Sequence, residues 1–477
     1  MPVRKLPTTF TALAAAALLL APKASAGAIA VTSCSLPDVQ AAVDRAVDGD
    51  EVTIPAGNCT WSAPVVFADK NVYVRGAGIG QTVITSNQEF IFYVGISNPA
   101  KGSFRIGNMT LTGGVTTDVI KVTSAAIAAV PSGRWRIDHI HFNFRSSQRS
   151  GVHVSGVNYG LVDHNVFDWY QGIVIRHSFG LNSEDCSGLG SNYATYAGNF
   201  ASSLPADFGT NNFVFVEDNT FTSYRNDGVP MDVYDSSAGG GRVVFRYNNV
   251  KNGRFYNHWT RGCEVAAQVM EVYNNSWTLG STSNADPGQV ARIEGGTGVF
   301  FNNYSTYNNG APYIVLDDRR SGGFGGPVSN EAGAGTWGYC DGTHKWDGNA
   351  GDPSAPGWPC LGQIGRAPGV SLAALAAGTA EQASAPFYLW NNGTDPGCAT
   401  GGGCTNSIGA YPAPASYIRN TPHPNGQVDY MDNNTPKPGY SPYAYPHPLV
   451  SGSGSGSGSS SSSAPAPPTN VRIVPGA

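Results

Sequence analysis

Three segments decide the fold: Val244-Phe-Arg-Tyr-Asn-Asn-Val250, Glu271-Val-Tyr-Asn-Asn-Ser-Trp277 and Val299-Phe-Phe-Asn-Asn-Tyr-Ser305. Each alternates apolar and polar residues, the period of a half-buried strand, and each sets an asparagine at the same point. Toward the N-terminus the pattern recurs in Phe215-Val-Glu-Asp-Asn-Thr-Phe221, Leu161-Val-Asp-His-Asn-Val-Phe167, Trp135-Arg-Ile-Asp-His-Ile-His-Phe142 and Phe104-Arg-Ile-Gly-Asn-Met-Thr-Leu111. Aligned, one column reads Met109, Ile140, Asn165, Asn219, Asn248, Asn275 and Asn303, with steps of 31, 25, 54, 29, 27 and 28 residues. A step near 28 is a solenoid period, and 54 is two periods or one with a large insertion. The asparagine is expected where the strand bends, because Asn tolerates the left-handed region and its amide bonds the neighbouring turn. Stacked copies then form a ladder in which each carboxamide donates to the next.

The composition agrees. Of 477 residues, 61 are Gly and 32 Pro, and only 13% are charged, about half the usual share for soluble domains. That excludes coiled coils and long solvated helices, while 11% aromatic residues exclude a disordered chain. Before the repeats, Ser35 with Asp38 suggests a helix N-cap, Leu36, Val39, Val43 and Ala46 follow helical spacing, and Gly49 follows at the end. A short amphipathic helix here would cover the open end of the solenoid, which otherwise exposes its core and an edge.

Asp38-Val-Gln-Ala-Ala-Val43, Gly49-Asp-Glu-Val-Thr-Ile-Pro-Ala-Gly57, Val72-Tyr-Val-Arg-Gly-Ala-Gly78 and Thr82-Val-Ile84, followed by asparagine rungs, resemble the opening of right-handed parallel β-helix proteins of the pectin-lyase-like superfamily. The resemblance covers roughly residues 39–315. It implies an all-β, right-handed parallel β-helix and a polysaccharide partner, in a superfamily that holds lyases, glycoside hydrolases, esterases and adhesins. Trp135-Arg-Ile-Asp-His139 is similar to the WIDH segment of pectate lyases, whose RxPxxR segment is absent here. Of the polygalacturonase motifs, Asn284-Ala-Asp286 and Asp317-Asp318 occur, while GHG and RIK do not.

The expected organisation has four parts. Residues 1–26 read as a signal peptide, with Arg4 and Lys5, an apolar run from Phe10 to Ala21 and the cleavage site Ala24-Ser25-Ala26. Secretion is therefore expected, and removal of Arg4, Lys5 and Lys23 moves the net charge from -5 to -8. The apolar run is too short for a transmembrane span. Residues 27–318 form the β-helix domain, 319–450 a loop-rich C-terminal region packing on it, and 451–477 a Gly/Ser/Pro linker and tail. The eight cysteines suggest disulfides, locally Cys34 with Cys59, Cys340 with Cys360 and Cys398 with Cys404, which leaves Cys186 with Cys263. An acidic chain without Lys/Arg tracts disfavours nucleic acid as a partner, and a monomer is expected.

Chemistry is expected on the second strand of each repeat: Gly151-Val-His-Val-Ser155, Gly172-Ile-Val-Ile-Arg176, Met231-Asp-Val-Tyr-Asp235, Asn257-His-Trp-Thr260, Ala291-Arg-Ile-Glu294 and Ile314-Val-Leu-Asp317. Alternation puts Val152, Ile173, Met231, Val233, Ile293, Ile314 and Leu316 inside, and His153, Arg176, Asp232, Tyr234, His258, Arg292, Glu294 and Asp317 outside. In a chain this poor in charge, such a stripe is the leading candidate site. Elimination at a uronate needs a cation to neutralise the carboxylate and a base to take the adjacent proton. His258, Arg292, Asp232 and Glu294 are the expected catalytic set. Arg176, Arg261, Tyr234 and Asp317 would bind substrate, and Asp232 with Asp235 could hold Ca²⁺. Hydrolysis would instead use a carboxylate pair from Asp232, Glu294 and Asp317. A non-catalytic glycan-binding or adhesive role is the third reading.

Overall fold

Each coil turns at a residue in the left-handed region: Asn108, His139, His164, Asp218, Tyr247, Asn274, Asn302 and Asn391 have φ between 52° and 59°. These residues immediately precede the repeat column, so the ladder asparagines themselves do not adopt the strained conformation. The sequence reading placed the bend one residue late. The left-handed residue swings the chain so that the next side chain points inward and stacks.

In the computed structural model, which describes residues 27–451 with breaks, the longest at 178–203 and 322–363, the ladder is continuous. The Nδ2 of Asn165 donates to Oδ1 of Asn219 at 3.0 Å, Asn219 to Asn248 at 3.1 Å, Asn248 to Asn275 at 3.0 Å, and Asn275 to Asn303 at 3.1 Å. Each Oδ1 also accepts the main-chain N–H of the preceding asparagine, as Asn248 does from Asn219 at 3.0 Å. Each Nδ2 reaches a strand carbonyl as well, as Asn248 does to Val216 at 2.9 Å. The amides are buried and use both ends, which is how a polar column survives inside an apolar core.

All strand pairs of the coils are parallel, and the described strands fall on three faces of a right-handed parallel β-helix. The first face runs from Ala28–Ala30 through Glu51–Thr53, Val214–Glu217, Arg242–Arg246 and Val269–Tyr273 to Thr297–Phe301. The second follows the ladder turn, with Thr220–Ser223, Asn249–Lys251 and Ser276–Leu279 stacked in register. The third holds ten described strands, labelled here β1 (Val65–Ala68), β2 (Phe92–Ile96), β3 (Asp118–Ser124), β4 (Ser150–Ser155), β5 (Gln171–Arg176), β6 (Met231–Asp235), β7 (Gly253–Asn257), β8 (Gln289–Ile293), β9 (Tyr313–Asp317) and β10 (Gly409–Ala413). Phe142, Phe167 and Phe221 stack through the core at 4.5 and 4.7 Å between ring centroids.

Helix α1 (Leu36–Arg45) closes the N-terminal end, burying Val39, Ala42 and Val43. The Ser35 hydroxyl accepts the Asp38 N–H, while the Asp38 carboxylate takes the Ser33 hydroxyl, and the helix stops before Gly49. Disulfides join Cys34 to Cys59 and Cys398 to Cys404, as expected. Cys186, Cys263, Cys340 and Cys360 lie outside the described residues.

The coils continue past residue 318. Phe387–Trp390 pairs with Thr297–Phe301, and Asn303 donates to Asn392 at 2.9 Å, across 89 residues of sequence. The segment Phe387-Tyr-Leu-Trp-Asn-Asn392 carries the same strand-Asn-Asn signature as residues 299–303. Residues 440–450 then run over the outer side of the first face. There Arg246 pairs with Glu217 at 2.6 Å and donates to the Tyr443 and Ala444 carbonyls at 2.7 Å each, while Arg136 pairs with Asp163 at 2.7 Å and donates to the Leu449 carbonyl at 3.1 Å. Arg246 and Glu217 are wholly buried. Asp138 and His139, in the segment similar to the WIDH of pectate lyases, and Asp163 and His164 at the matching place of the next repeat belong to these turns: Asp138 accepts both Arg105 nitrogens at 2.6 Å, and the two imidazoles stack at 5.2 Å.

Candidate functional site

The outer side of the third face gathers the charged stripe, but not in strict alternation. Val119 and Ile120 on β3, Val233 and Tyr234 on β6, and Val290 and Ala291 on β8 are consecutive and fully buried in the core. The registers β6–β7 and β8–β9 skip a residue at the second and third of these doublets. An extra residue in a strand reverses the facing of everything after it. The sequence expectation for Tyr234 is therefore corrected: it points inward and stacks on Phe255 at 4.5 Å, and Asp235 takes the outer place. The residues expected inside, Val152, Ile173, Met231, Val233, Ile293, Ile314 and Leu316, are all buried.

Along one outer column the register places Tyr93, Lys121, His153, Val174, Asp235, Tyr256 and Arg292 side by side from β2 to β8. Asp232 accepts from Nε of Arg254 at 2.8 Å, and Arg254 donates to Oε1 of Gln289 at 2.6 Å while its guanidinium lies 4.3 Å above the Tyr256 ring. The Tyr256 hydroxyl donates to Glu294 at 2.9 Å, and Nε of Arg292 meets the same carboxylate at 2.9 Å. Asp235 accepts from Gln171 at 2.6 Å. Burial pushes the Tyr256 hydroxyl up, with Glu294 adding to it, so it stays a donor. Asp232, Arg254, Tyr256, Glu294 and Arg292 thus form one connected network over three rungs, each about 4.8 Å from the next.

A second cluster lies toward the N-terminal end. Nδ1 of His153 faces Oδ2 of Asp118 at 2.7 Å, and the Ser150 hydroxyl donates to the other carboxylate oxygen. Burial pushes the Asp118 carboxyl up, but the His153 ring and the Ser150 hydroxyl outweigh it and hold the group down at about 2. Burial drives the Lys121 ammonium down to about 8, Asp118 opposing and Arg176 assisting.

Of the residues expected from sequence, Asp232, Arg292 and Glu294 are brought together, joined by Arg254 and Tyr256. Arg176 ends β5 near Lys121, partly exposed. His258 lies outside the described residues, as do the side chains of Arg261 and Asp317. Sequence reasoning missed Arg254 and Tyr256 because it began the strand at Asn257; the strand is Gly253–Asn257, and Asn257 faces inward, buried. The alternation Arg254-Phe-Tyr256 was a readable signal. Asp118 and Lys121 sit in the equally readable Asp118-Val-Ile-Lys-Val122.

The donor set expected for Ca²⁺ does not fit. A hard dication takes 6–8 oxygens, yet Asp232 already faces the Arg254 cation and Asp235 is bonded by Gln171. Among the described residues no three His, Cys, Asp or Glu side chains converge on one point. No helix among the described residues is long and apolar enough to cross a membrane.

No protein-family model and no curated protein matches the chain. Among solved structures it is similar to an alginate lyase from Paenibacillus sp. str. FPU-7, at 14% identity over 62% of this chain and 92% of that one, with a TM-score of 0.34. It is also similar to the PL6 family alginate lyase AlyGC, at 15% identity over 61% of this chain and 43% of that one, with a TM-score of 0.32. The chain therefore spans less than half the length of AlyGC.

Proposed function

We propose that the protein cleaves an acidic, uronate-containing polysaccharide by β-elimination along the outer side of the third face. One observation carries the reading: in a chain only 13% charged, Lys121, Arg176, Arg254 and Arg292 stand on four rungs of one face. A rung spacing of about 4.8 Å is close to the length of one sugar, so uronates one or two sugars apart can meet these cations.

Elimination requires the substrate carboxylate to be neutralised so that the adjacent carbon loses its proton, and then the glycosidic bond at the next carbon breaks. Arg292, held by Glu294 and braced over Tyr256 at 5.8 Å, suits the first task. Asp232 and Glu294 each face an arginine, which orients guanidinium groups toward an anion. A hydrolase would need one of these carboxyls to donate a proton. His258 remains the proton acceptor expected from sequence.

The test is incubation of the full chain with a panel of uronate polymers, following the ultraviolet absorbance of the unsaturated product and, separately, new reducing ends. Unsaturated ends are expected. Reducing ends without them would mean hydrolysis, and binding with neither would mean an adhesive protein; either result overturns the proposal.

A further inference from the structure

The third face ends in an aromatic corner that the charged network does not use. On β10, the last described strand of that face, Tyr411 is 63% exposed, more than any other large apolar or aromatic side chain among the described residues. Pairing with β9 holds its backbone, with Val315 opposite Tyr411 and Tyr313 opposite Gly409. Ala410 packs on the core, so alternation turns Gly409 and Tyr411 outward together. The Tyr313 and Tyr411 rings stand 6.5 Å apart at 63°, an open corner rather than a stack. Gly409 is its floor: a Cβ there would meet no atom within 4 Å, so the space beside Tyr313 is open. The corner continues the charged column. Val315 lies opposite Arg292, and Tyr313 lies opposite Gln289, which accepts from Arg254 at 2.6 Å. Tyr411 therefore stands two rungs beyond Arg292, about 10 Å along the helix axis, which two sugars of an extended polymer span.

We infer that Tyr313, Gly409 and Tyr411 form a sugar-binding subsite that grips the polysaccharide by the apolar face of one ring and takes no part in bond cleavage. The inference rests on the lyase reading of this face. A pyranose ring carries several C–H bonds on one side, and their slightly positive hydrogens suit the negative face of a phenol ring. Contact also takes apolar area of both partners out of water. Two rings at a wide angle let one serve as platform and the other as wall, which sets the direction in which the polymer leaves the corner. Both tyrosines sit on paired strands, so little backbone freedom is lost when a sugar arrives. A second copy of the chain fits less well, because Pro412 on this edge strand has no N–H, the device by which edges refuse a further strand. A hold this far from Arg292 is the same in the ground state and the transition state, so it lowers KM and leaves kcat alone.

The experiment uses the full chain and measures retardation in gels containing polygalacturonate, polymannuronate or polyguluronate, thermal unfolding, and KM and kcat for unsaturated ends. Tyr411→Ala is expected to weaken binding and raise KM by about tenfold, with kcat and unfolding unchanged. Tyr411→Phe keeps the ring and should bind within about twofold of wild type. Gly409→Val keeps both tyrosines and suits a strand, yet it fills the corner, so it should weaken binding about as much as Tyr411→Ala. Binding within about twofold of wild type in either Tyr411→Ala or Gly409→Val overturns the subsite. So does a loss of kcat at unchanged KM in Tyr411→Ala, and so do equal losses in Tyr411→Phe and Tyr411→Ala, which would assign recognition to the hydroxyl. If Gly409→Val fails to fold, the comparison of Tyr411→Ala with Tyr411→Phe decides. A wild-type chain that binds polymer but makes no unsaturated ends refutes the lyase reading alone, and the binding comparison still decides the subsite. A wild-type chain that binds none of the three polymers overturns the subsite as well.

Discussion

Two outer faces of the same solenoid carry buried charge, and they treat it differently. On the first face, Arg246, Glu217, Arg136 and Asp163 are sealed under residues 440–450, and their polar atoms meet ion-pair partners or main-chain carbonyls. The His447 N–H completes Glu217 at 2.8 Å. On the third face the charges also pair across rungs, yet Arg292, Asp232 and Arg176 keep part of their surface open and Nε2 of His153 has no partner. Charge that is fully answered holds a segment in place. Charge that is partly answered is available to a ligand.

The contrast can be broken most forcefully on the sealed face. Arg246→Met leaves Glu217 buried without its cation, so it should destabilise the protein by about 3–5 kcal/mol in chemical denaturation, with activity falling only because the fold does. Arg292→Ala, on the open face, should cost less stability, because the buried Glu294 carboxylate it leaves still accepts the Tyr256 hydroxyl, while the production of unsaturated ends by the folded fraction drops by about 10²–10³-fold. If both variants lose stability alike, the two faces are not distinct in kind.

Asn248→Ala sharpens the comparison from the core. It removes an amide that bonds Asn275 and the Val216 carbonyl and that accepts from Asn219. A loss of roughly 1–3 kcal/mol is expected, with kcat of the folded fraction unaltered. Glu271→Gln should have the smallest effect and a distinctive pH dependence. Burial pushes the Glu271 carboxyl up to about 7, against the Gly209 N–H and the Tyr440 hydroxyl. The folded state therefore holds this proton more tightly than the unfolded chain, and wild-type stability from this group falls as pH rises from about 4 through 7. Glutamine has no such proton, so the melting temperature of the variant should match wild type near pH 4 and exceed it increasingly up to about pH 7.

Much of this architecture was legible in the sequence because its period is carried by single residues. The column from Asn165 to Asn303 fixes where each coil turns, and the inward set from Val152 to Leu316 follows from alternation. Two things were hidden. The doublets Val233-Tyr234 and Val290-Ala291 look like ordinary strand, and only the pairing register of neighbouring strands shows that both members face the core. Hence Tyr234 was misplaced while Asp232 was not. The partners of the sealed arginines were also unreadable, since Arg246 finds its carbonyls 197 and 198 residues away in a segment with no repeat of its own. His153 was read as an outward residue, but its hold on Asp118 depends on contact between two strands 35 residues apart.

The asparagine column has one more implication. It bridges 54 residues between Asn165 and Asn219, and 89 between Asn303 and Asn392, with the same bond lengths it shows over 27. The stack therefore counts turns of the helix and ignores how much chain is spent between them. A guest segment spliced between Ser321 and Phe387, after the last strand of that coil, should leave the rungs in order, which makes such gaps the natural places for the molecule to acquire new surface without relearning how to fold.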